Sequence, residues 1–184
     1  MIRYEINSFG ALPISVATAK DYLKVETAAD DNMITKLVDG VTVFAERHTG
    51  RELRINQWRA FDDDFPSSCW EIRRTPIATI DDIQYIVSGG SVIVADTIYE
   101  LNRSDLYPII RLSNDQSWPT DIDPNLTDAV LINFTTQADK RIDEIIMAML
   151  RHIADVYENR GDSILMERLA RGSNFYSNVR IPNF

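Results

Sequence analysis

The sequence is poor in the residues from which most metal and redox sites are built. Its 184 residues include one cysteine, Cys69, and two histidines. A single cysteine excludes an internal disulfide framework and a cysteine-based zinc site. Neither histidine lies in a pattern such as H-E-x-x-H, and the chain has no G-x-S-x-G, P-loop or G-x-G-x-x-G motif. We therefore expect no metal, no cofactor and no catalytic residues.

Long apolar runs and a surplus of basic residues are also missing. No stretch of about 18 apolar residues exists, so we expect no membrane span, and the first residues lack the apolar segment of a signal peptide. The net charge of −9 argues against a basic surface that reads nucleic acid. Residues 162–184 carry +1 of that total, which leaves −10 on the first 161 residues. A hydrophobic content of 45% is ordinary for a globular protein with a core.

The longest stretch patterned as one helix covers residues 139–160. Its apolar residues fall on one broad stripe: Ile142, Ile145, Ile146, Met149, Leu150, Ile153, Val156 and Tyr157. The opposite face is charged and consists of Glu144, Arg151, Asp155 and Glu158. Asp139 is placed to cap the start of this helix, and Gly161 to end it.

Two shorter helices are predicted before the long one, at about 16–24 and 31–49. Between residues 53 and 135 the pattern changes to short segments rich in β-branched and aromatic residues, bounded by turn residues: 53–61, 69–73, 77–87, 91–95, 98–102, 109–112 and 129–135. The predicted fold class is α+β, with an N-terminal helical hairpin, a small antiparallel β region, a long C-terminal helix and an extended C-terminal tail. Residues 1–161 would form the core domain and residues 162–184 the tail.

The tail has an unusual composition for a chain terminus. Residues 163–171 can form a short helix, whereas the residues after them have no helical period but five large apolar side chains: Phe175, Tyr176, Val179, Ile181 and Phe184. Disordered tails are usually poor in aromatic residues. Two interpretations remain open. The tail folds back on its own domain, or it docks into a partner through these side chains and Arg180.

Three other features are candidates for catalysis or metal binding. His48 and His152 fall on or beside apolar helical stripes, where a packed histidine is the simpler interpretation. Asp62, Asp63 and Asp64 could chelate a cation, but consecutive carboxylates diverge on an extended chain and the run lacks the spacing of an EF-hand loop. Cys69 has no visible base or metal partner beside it in sequence.

Several short segments, taken in order, carry a resemblance to a known family. They are Leu12-Pro13-Ile14-Ser15, Ala19-Lys20-Asp21-Tyr22-Leu23, Ala45-Glu46-Arg47-His48-Thr49-Gly50-Arg51, Trp58, Arg74-Thr75-Pro76-Ile77-Ala78-Thr79-Ile80, Trp118-Pro119 and Val156-Tyr157-Glu158-Asn159-Arg160. In order and spacing they resemble the head–tail connector (adaptor) proteins of long-tailed bacteriophages and related gene-transfer particles. The resemblance covers roughly residues 12–160.

That resemblance implies a structural protein of the virion neck, made in the host cytoplasm. About twelve copies would form a ring beneath the portal protein, extend the DNA channel, and provide a platform for the stopper or tail-completion protein. The C-terminal segment would grip the portal, with Phe175, Tyr176, Val179, Arg180, Ile181 and Phe184 as the docking residues. The family implies no catalytic residues, no cofactor and no membrane partner.

Ring assembly needs a second surface beyond the monomer core, used head to tail. The charged helix face of Glu144, Arg151, Asp155 and Glu158 is one candidate for a neighbour or channel surface. The edge strands and the loop around Trp118 are others. An acidic body would repel phosphate and let double-stranded DNA pass without specific binding. The alternatives are a monomeric binding module, or a small virion-associated enzyme with its site near His48 or Asp62, Asp63 and Asp64.

Overall fold

A computed structural model describes residues 2–88, 90–103, 107–159 and 172–181 of the chain. The fold divides into two compact units, each assembled from two parts of the sequence. The β unit contains Met1–Gly10 and Arg54–Gln137, and the helical unit contains Ala11–Leu53 and Ala138–Phe184. The predicted division at residue 161 therefore differs from the division that the contacts define.

The β unit holds two antiparallel sheets. The five-stranded sheet has the order β1-β2-β8-β4-β5, and the three-stranded sheet has the order β3-β7-β6. The strands are β1 Arg3–Ser8, β2 Gln57–Asp62, β3 Cys69–Glu71, β4 Ile77–Val87, β5 Gly90–Ile93, β6 Tyr99–Asn102, β7 Ile109–Leu112 and β8 Val130–Thr136.

Strand β8 lies at the centre of the larger sheet, between β2 and β4, and the burial of its side chains alternates without exception. Val130, Ile132, Phe134 and Thr136 are buried, while the residues between them are half-buried. Ile132 lies opposite Ala60 of β2 and Ile83 of β4, and all three belong to the core of this unit. The same core contains Trp70 and Ile110 of the smaller sheet, so the two sheets share one apolar interior.

The helical unit contains α1 Val16–Leu23, α2 Asp31–Thr49, α3 Ile142–Glu158 and a 3₁₀ helix, Gly172–Tyr176. Ser15 caps α1, because its hydroxyl accepts a hydrogen bond of 3.0 Å from the Thr18 amide. Gly50 ends α2 in the left-handed conformation, with φ of 71°. Apolar faces of the helices form the core, which includes Ile34, Val38, Val41, Ala45, Ile145, Met149 and Ile153.

The predicted fold class is wrong in three respects. The β region is not small, since its described residues form eight strands in two sheets, and the first element is strand β1 rather than a helical hairpin. The last long helix has 17 residues, Ile142–Glu158, and starts later than predicted. The described part of the tail is not extended, because it contains a 3₁₀ helix and contributes buried side chains to the core.

The late start of α3 has a definite cause. Asp139 was predicted to cap the helix, but its carboxylate accepts a hydrogen bond of 2.6 Å from Arg51 as well as one from the Arg141 amide. The side chain is nearly buried in this ion pair. A tertiary contact across 88 positions therefore fixes Asp139 outside the helix.

Two glycines give opposite predictions for substitution by alanine. A Cβ atom at Gly10 would lie 2.2 Å from the backbone oxygen of Ile55, whereas a Cβ atom at Gly40, inside α2, would meet nothing within 4 Å. We expect Gly10→Ala to lower the free energy of unfolding by about 2 kcal/mol, because the backbone must move. Gly40→Ala should raise it by about 1 kcal/mol through helix propensity.

Chemical denaturation of both variants beside the natural chain measures these two changes. Equal effects of the two substitutions would show that Gly10 is not held against the Ile55 backbone.

Candidate assembly surfaces

The C-terminal segment, here defined as residues 172–181, lies on the helical unit. Tyr176, Val179 and Ile181 are buried, with exposed fractions of 0%, 4% and 2%. The Ile181 amide donates a hydrogen bond of 2.8 Å to the Thr49 carbonyl, and the Arg51 guanidinium donates one of 2.7 Å to the Val179 carbonyl. Three of the six predicted docking residues therefore contribute to the subunit's own core.

The remaining docking residues have different positions. Phe175 is 39% exposed and Arg180 is exposed, so both present side chains to solvent in this structure. Phe184 and the predicted helix at 163–171 lie outside the described residues, as does Gly161. Of the predicted set, the described part of the chain thus offers two side chains to a partner without rearrangement.

Tyr176 is held by an aromatic cluster that joins three elements of the helical unit. Its members are Phe44, His48, His152, Phe175 and Tyr176. Phe44 stacks on His48 with centroids 5.7 Å apart and meets His152 edge to face at 5.1 Å. The Tyr176 hydroxyl and His152 Nδ1 lie 3.2 Å apart in a hydrogen bond. The cluster attaches the C-terminal segment to α2 and α3.

Both members of that hydrogen bond are fully buried, which changes their acid–base behaviour. Burial lowers the pKa of His152 to about 4, against a smaller opposing effect of the Asp155 carboxylate. Burial also raises the pKa of Tyr176. Within the described part of the chain, Nε2 of His152 has no hydrogen-bond partner, so a proton added there would gain no acceptor. The site therefore favours a neutral imidazole and a neutral phenol.

Helix α3 presents the charged face that the sequence predicts. Glu144, Arg151 and Glu158 are exposed, and Asp155 is half-buried. The sequence pattern did not single out Met147, which lies on the same face and is 48% exposed. Periodicity alone could have placed it there, since it follows Glu144 by three residues and precedes Arg151 by four.

The residues considered for an enzymatic site are occupied by structural contacts. His48 belongs to the aromatic cluster. Asp62 accepts a hydrogen bond from the Trp70 indole, Asp63 accepts one from the Asp128 amide, and Asp64 accepts one from the Phe65 amide. The three carboxylates serve different partners. In the part of the chain that the structure describes, no group of three or more His, Cys, Asp or Glu residues could hold a metal ion.

The loop around Trp118 and the sheet edges differ in how much free surface they offer. Trp118 is half-buried and stacks on Phe65 with centroids 5.1 Å apart, so its ring serves the core of the β unit. The edges of the larger sheet are β1 and β5, and β3 is an edge of the smaller sheet. On β5, Val92 and Ile93 are exposed apolar residues, with exposed fractions of 38% and 66%.

No helix among the described residues is long and apolar enough to span a membrane.

The buried histidine predicts acid sensitivity. Because the pKa of His152 is about 4 in the folded chain and near 6.5 when unfolded, the unfolded state binds the proton more tightly. The stability that His152 contributes is therefore fully present above pH of about 6.5 and is lost as the pH drops toward about 4, by about 3 kcal/mol in all. We expect His152→Asn to reduce this pH dependence, measured by denaturant titrations between those two limits.

The matched control is His48→Asn, at the other histidine of the chain. If the natural chain and the His152→Asn variant lose the same stability over that interval, His152 is not the group responsible.

Comparisons with known proteins give a result at the level of fold. No protein-family model matches this chain, and no curated protein is detectably similar to it in sequence. Among solved structures, a chain from the virion of a native gene transfer agent (GTA) particle is similar with a TM-score of 0.69 at 18% identity, covering 98% of this chain and 96% of that one.

Two neck structures show the same similarity. A chain from the neck of an empty GTA particle, computed with C6 symmetry, has a TM-score of 0.67 at 17% identity, and the coverage is 98% of this chain and 97% of that one. A chain from the neck of a native GTA particle, computed with C12 symmetry, has a TM-score of 0.64 at 20% identity, with the same coverage. The chain shares its fold, over nearly its whole length, with chains of these particles.

Proposed function

We propose that this chain is a structural protein of a virion neck, of the head–tail connector (adaptor) type. The observation that carries the proposal is the fold similarity to chains of GTA necks, which spans 98% of this chain and includes both units. The order and spacing of the sequence segments from Leu12 to Arg160 support it independently.

In this proposal about twelve copies form a ring beneath the portal. The neck structures that share the fold were computed with C6 and C12 symmetry, which is the symmetry that six or twelve repeated copies produce. A closed ring requires a head-to-tail contact between two different surfaces of each subunit. The α3 face of Glu144, Met147, Arg151 and Glu158 is exposed, so it can face a neighbour or the channel.

The charge of the chain suits a DNA conduit. A protein gains affinity for DNA with each phosphate that a lysine or arginine contacts. The first 161 residues carry a net charge of −10, and the whole chain carries −9. A ring of such copies would therefore repel the DNA duplex and let it pass. A ring that bound duplex DNA with submicromolar Kd at physiological salt would contradict this part of the proposal.

The C-terminal segment is proposed to meet the portal protein, and the opposite side of the ring to meet the stopper or tail-completion protein. Three buried residues of the segment pack into the helical core: Tyr176, Val179 and Ile181. In this proposal they contribute to docking indirectly, because they hold the segment in place. Phe175 and Arg180 are the described side chains available for direct contact. Phe184 keeps its proposed role as a docking residue beyond them.

The ring predicts a definite stoichiometry. We expect the purified chain, incubated with portal-bearing heads, to bind at about twelve copies per head, and native mass spectrometry of the released complex to show the closed ring. Portal-free heads are the control and should bind none. A single copy per head, or a chain that stays monomeric with heads present, would favour a monomeric binding module instead.

The docking surface predicts the effect of a charge reversal. Arg180→Glu should leave the unfolding midpoint within about 2 °C, because the side chain is exposed. It should weaken binding to portal-bearing heads by tenfold or more if Arg180 contacts the portal. Removing residues 172–184 is a poorer test, since that deletion opens the helical core.

The matched control is Lys36→Glu, an equally exposed charge reversal on α2. Equal head binding by Arg180→Glu, Lys36→Glu and the natural chain would remove Arg180 from the portal interface.

A further inference from the structure

The two edge strands of the five-stranded sheet differ in their protection against pairing with another chain. Edge strands are normally guarded by charged residues, proline or bulges. Strand β1 carries Arg3 and Glu5 and has a register irregularity between Ile6 and Ser8. Strand β5, Gly90–Ile93, has neither charge nor proline, and all four of its residues are exposed. Its sequence, GSVI, thus presents an unguarded edge.

A cavity of about 560 Å³ lies beside the opposite edge of the same sheet. It is lined by residues of β1 and β3, which are edge strands of the two sheets, and by neighbouring residues: Ile2, Tyr4, Asp62, Pro66, Cys69, Trp70, Glu71 and Arg73. We call it the β1–β3 groove. Each of the two strands has an unpaired side within the described fold. A strand entering the groove could therefore find backbone partners.

The lining of the groove combines apolar side chains with Asp62, Glu71 and Arg73, and these charged groups already have partners within the fold. Tyr4 accepts a hydrogen bond of 3.0 Å from the Arg73 amide, which ties β1 to the segment after β3. Asp62 accepts one from the Trp70 indole, and Glu71 forms an ion pair with Arg73 at 3.2 Å. An uncharged strand could enter without breaking these pairs, because it brings no further charge into the groove.

We infer that the occupant of the β1–β3 groove is strand β5 of a neighbouring copy of this chain. Strand β5 and the groove lie at opposite ends of the five-stranded sheet, so they are two different surfaces, as a head-to-tail contact requires. Val92 and Ile93 would supply the apolar side chains, and the outer edge of β5 would pair with the unpaired edge of β3, because β1 is guarded by charge. This inference rests on the proposed ring and names the contact that closes it.

The single cysteine of the chain gives a direct test. Cys69 is exposed and lines the groove, so a thiol introduced on β5 of the neighbour would come within disulfide distance. The natural chain, which has only Cys69, is mixed with a Cys69→Ser/Ile93→Cys variant on portal-bearing heads and mildly oxidised. We expect a disulfide joining Cys69 to position 93 as the main cross-linked product, identified by peptide mass spectrometry.

The control variant is Cys69→Ser/Val43→Cys, whose new thiol lies at an exposed position of α2. Rings that form with no more linkage at position 93 than at position 43 would overturn the groove contact and leave the proposed function intact. Absence of any ring on portal-bearing heads would overturn the proposed function and this inference together.

A second variant removes the dependence on thiol chemistry. Ile93→Asp replaces a residue that is 66% exposed, so the subunit should fold normally. In the ring its carboxylate would approach Asp62 and Glu71, and we expect at least a tenfold loss of ring assembly. Asp62→Asn in the same chain should restore part of that loss, because it removes one repelling charge. Unimpaired ring assembly by Ile93→Asp would also overturn the inference.

Discussion

The closure of the helical core by Tyr176 is the contact on which the C-terminal part of the chain depends. Tyr176 is fully buried. Its hydrogen-bond partner is His152 on α3, which lies 24 positions earlier in the sequence. Val179 and Ile181 extend the contact to the end of α2, where backbone and guanidinium hydrogen bonds hold them. Without this segment, the apolar faces of α2 and α3 would be open to water at a cost of several kcal/mol. The same residues therefore complete the helical core and fix the position of residues 172–181 on it.

In the β unit, the order of the strands determines which of them lie at the edges of the larger sheet. Strand β8 lies between β2 and β4, so the sheet is assembled from distant parts of the sequence and ends in β1 and β5. An open sheet has two edges that must be guarded, covered or paired. One edge here is guarded by charge, and the other is uncharged, apolar and exposed. In the proposed ring, the uncharged edge has a use that it lacks in a single copy of the chain.

Helices and strands were predictable from the sequence where nearby residues determine their bounds. The helix predicted at 31–49 coincides with α2, because Gly50 takes the left-handed conformation that ends it. The strand predicted at 77–87 coincides with β4. Strand β1 escaped prediction because only Tyr4 and Ile6 give it an apolar period. Its place in the fold comes from pairing with β2, whose partner residues lie 49 to 58 positions later.

The candidate site was less predictable, since its residues are selected by tertiary contacts. The composition of the tail identified Tyr176, Val179 and Ile181 as unusual, but a sequence cannot tell whether such residues fill their own core or a partner's. Their burial among α2 and α3 answers that question for the single subunit. The apolar edge at Val92 and Ile93 was visible only once the strand order placed β5 at the end of the sheet.

Electron microscopy of assembled particles, with this chain located in the density, tests the central claim most directly. We predict a ring of about twelve copies immediately below the portal, with density for residues 172–184 on its portal side. A reconstruction with this chain in single copy, or located away from the junction of head and tail, would contradict the assignment as a connector.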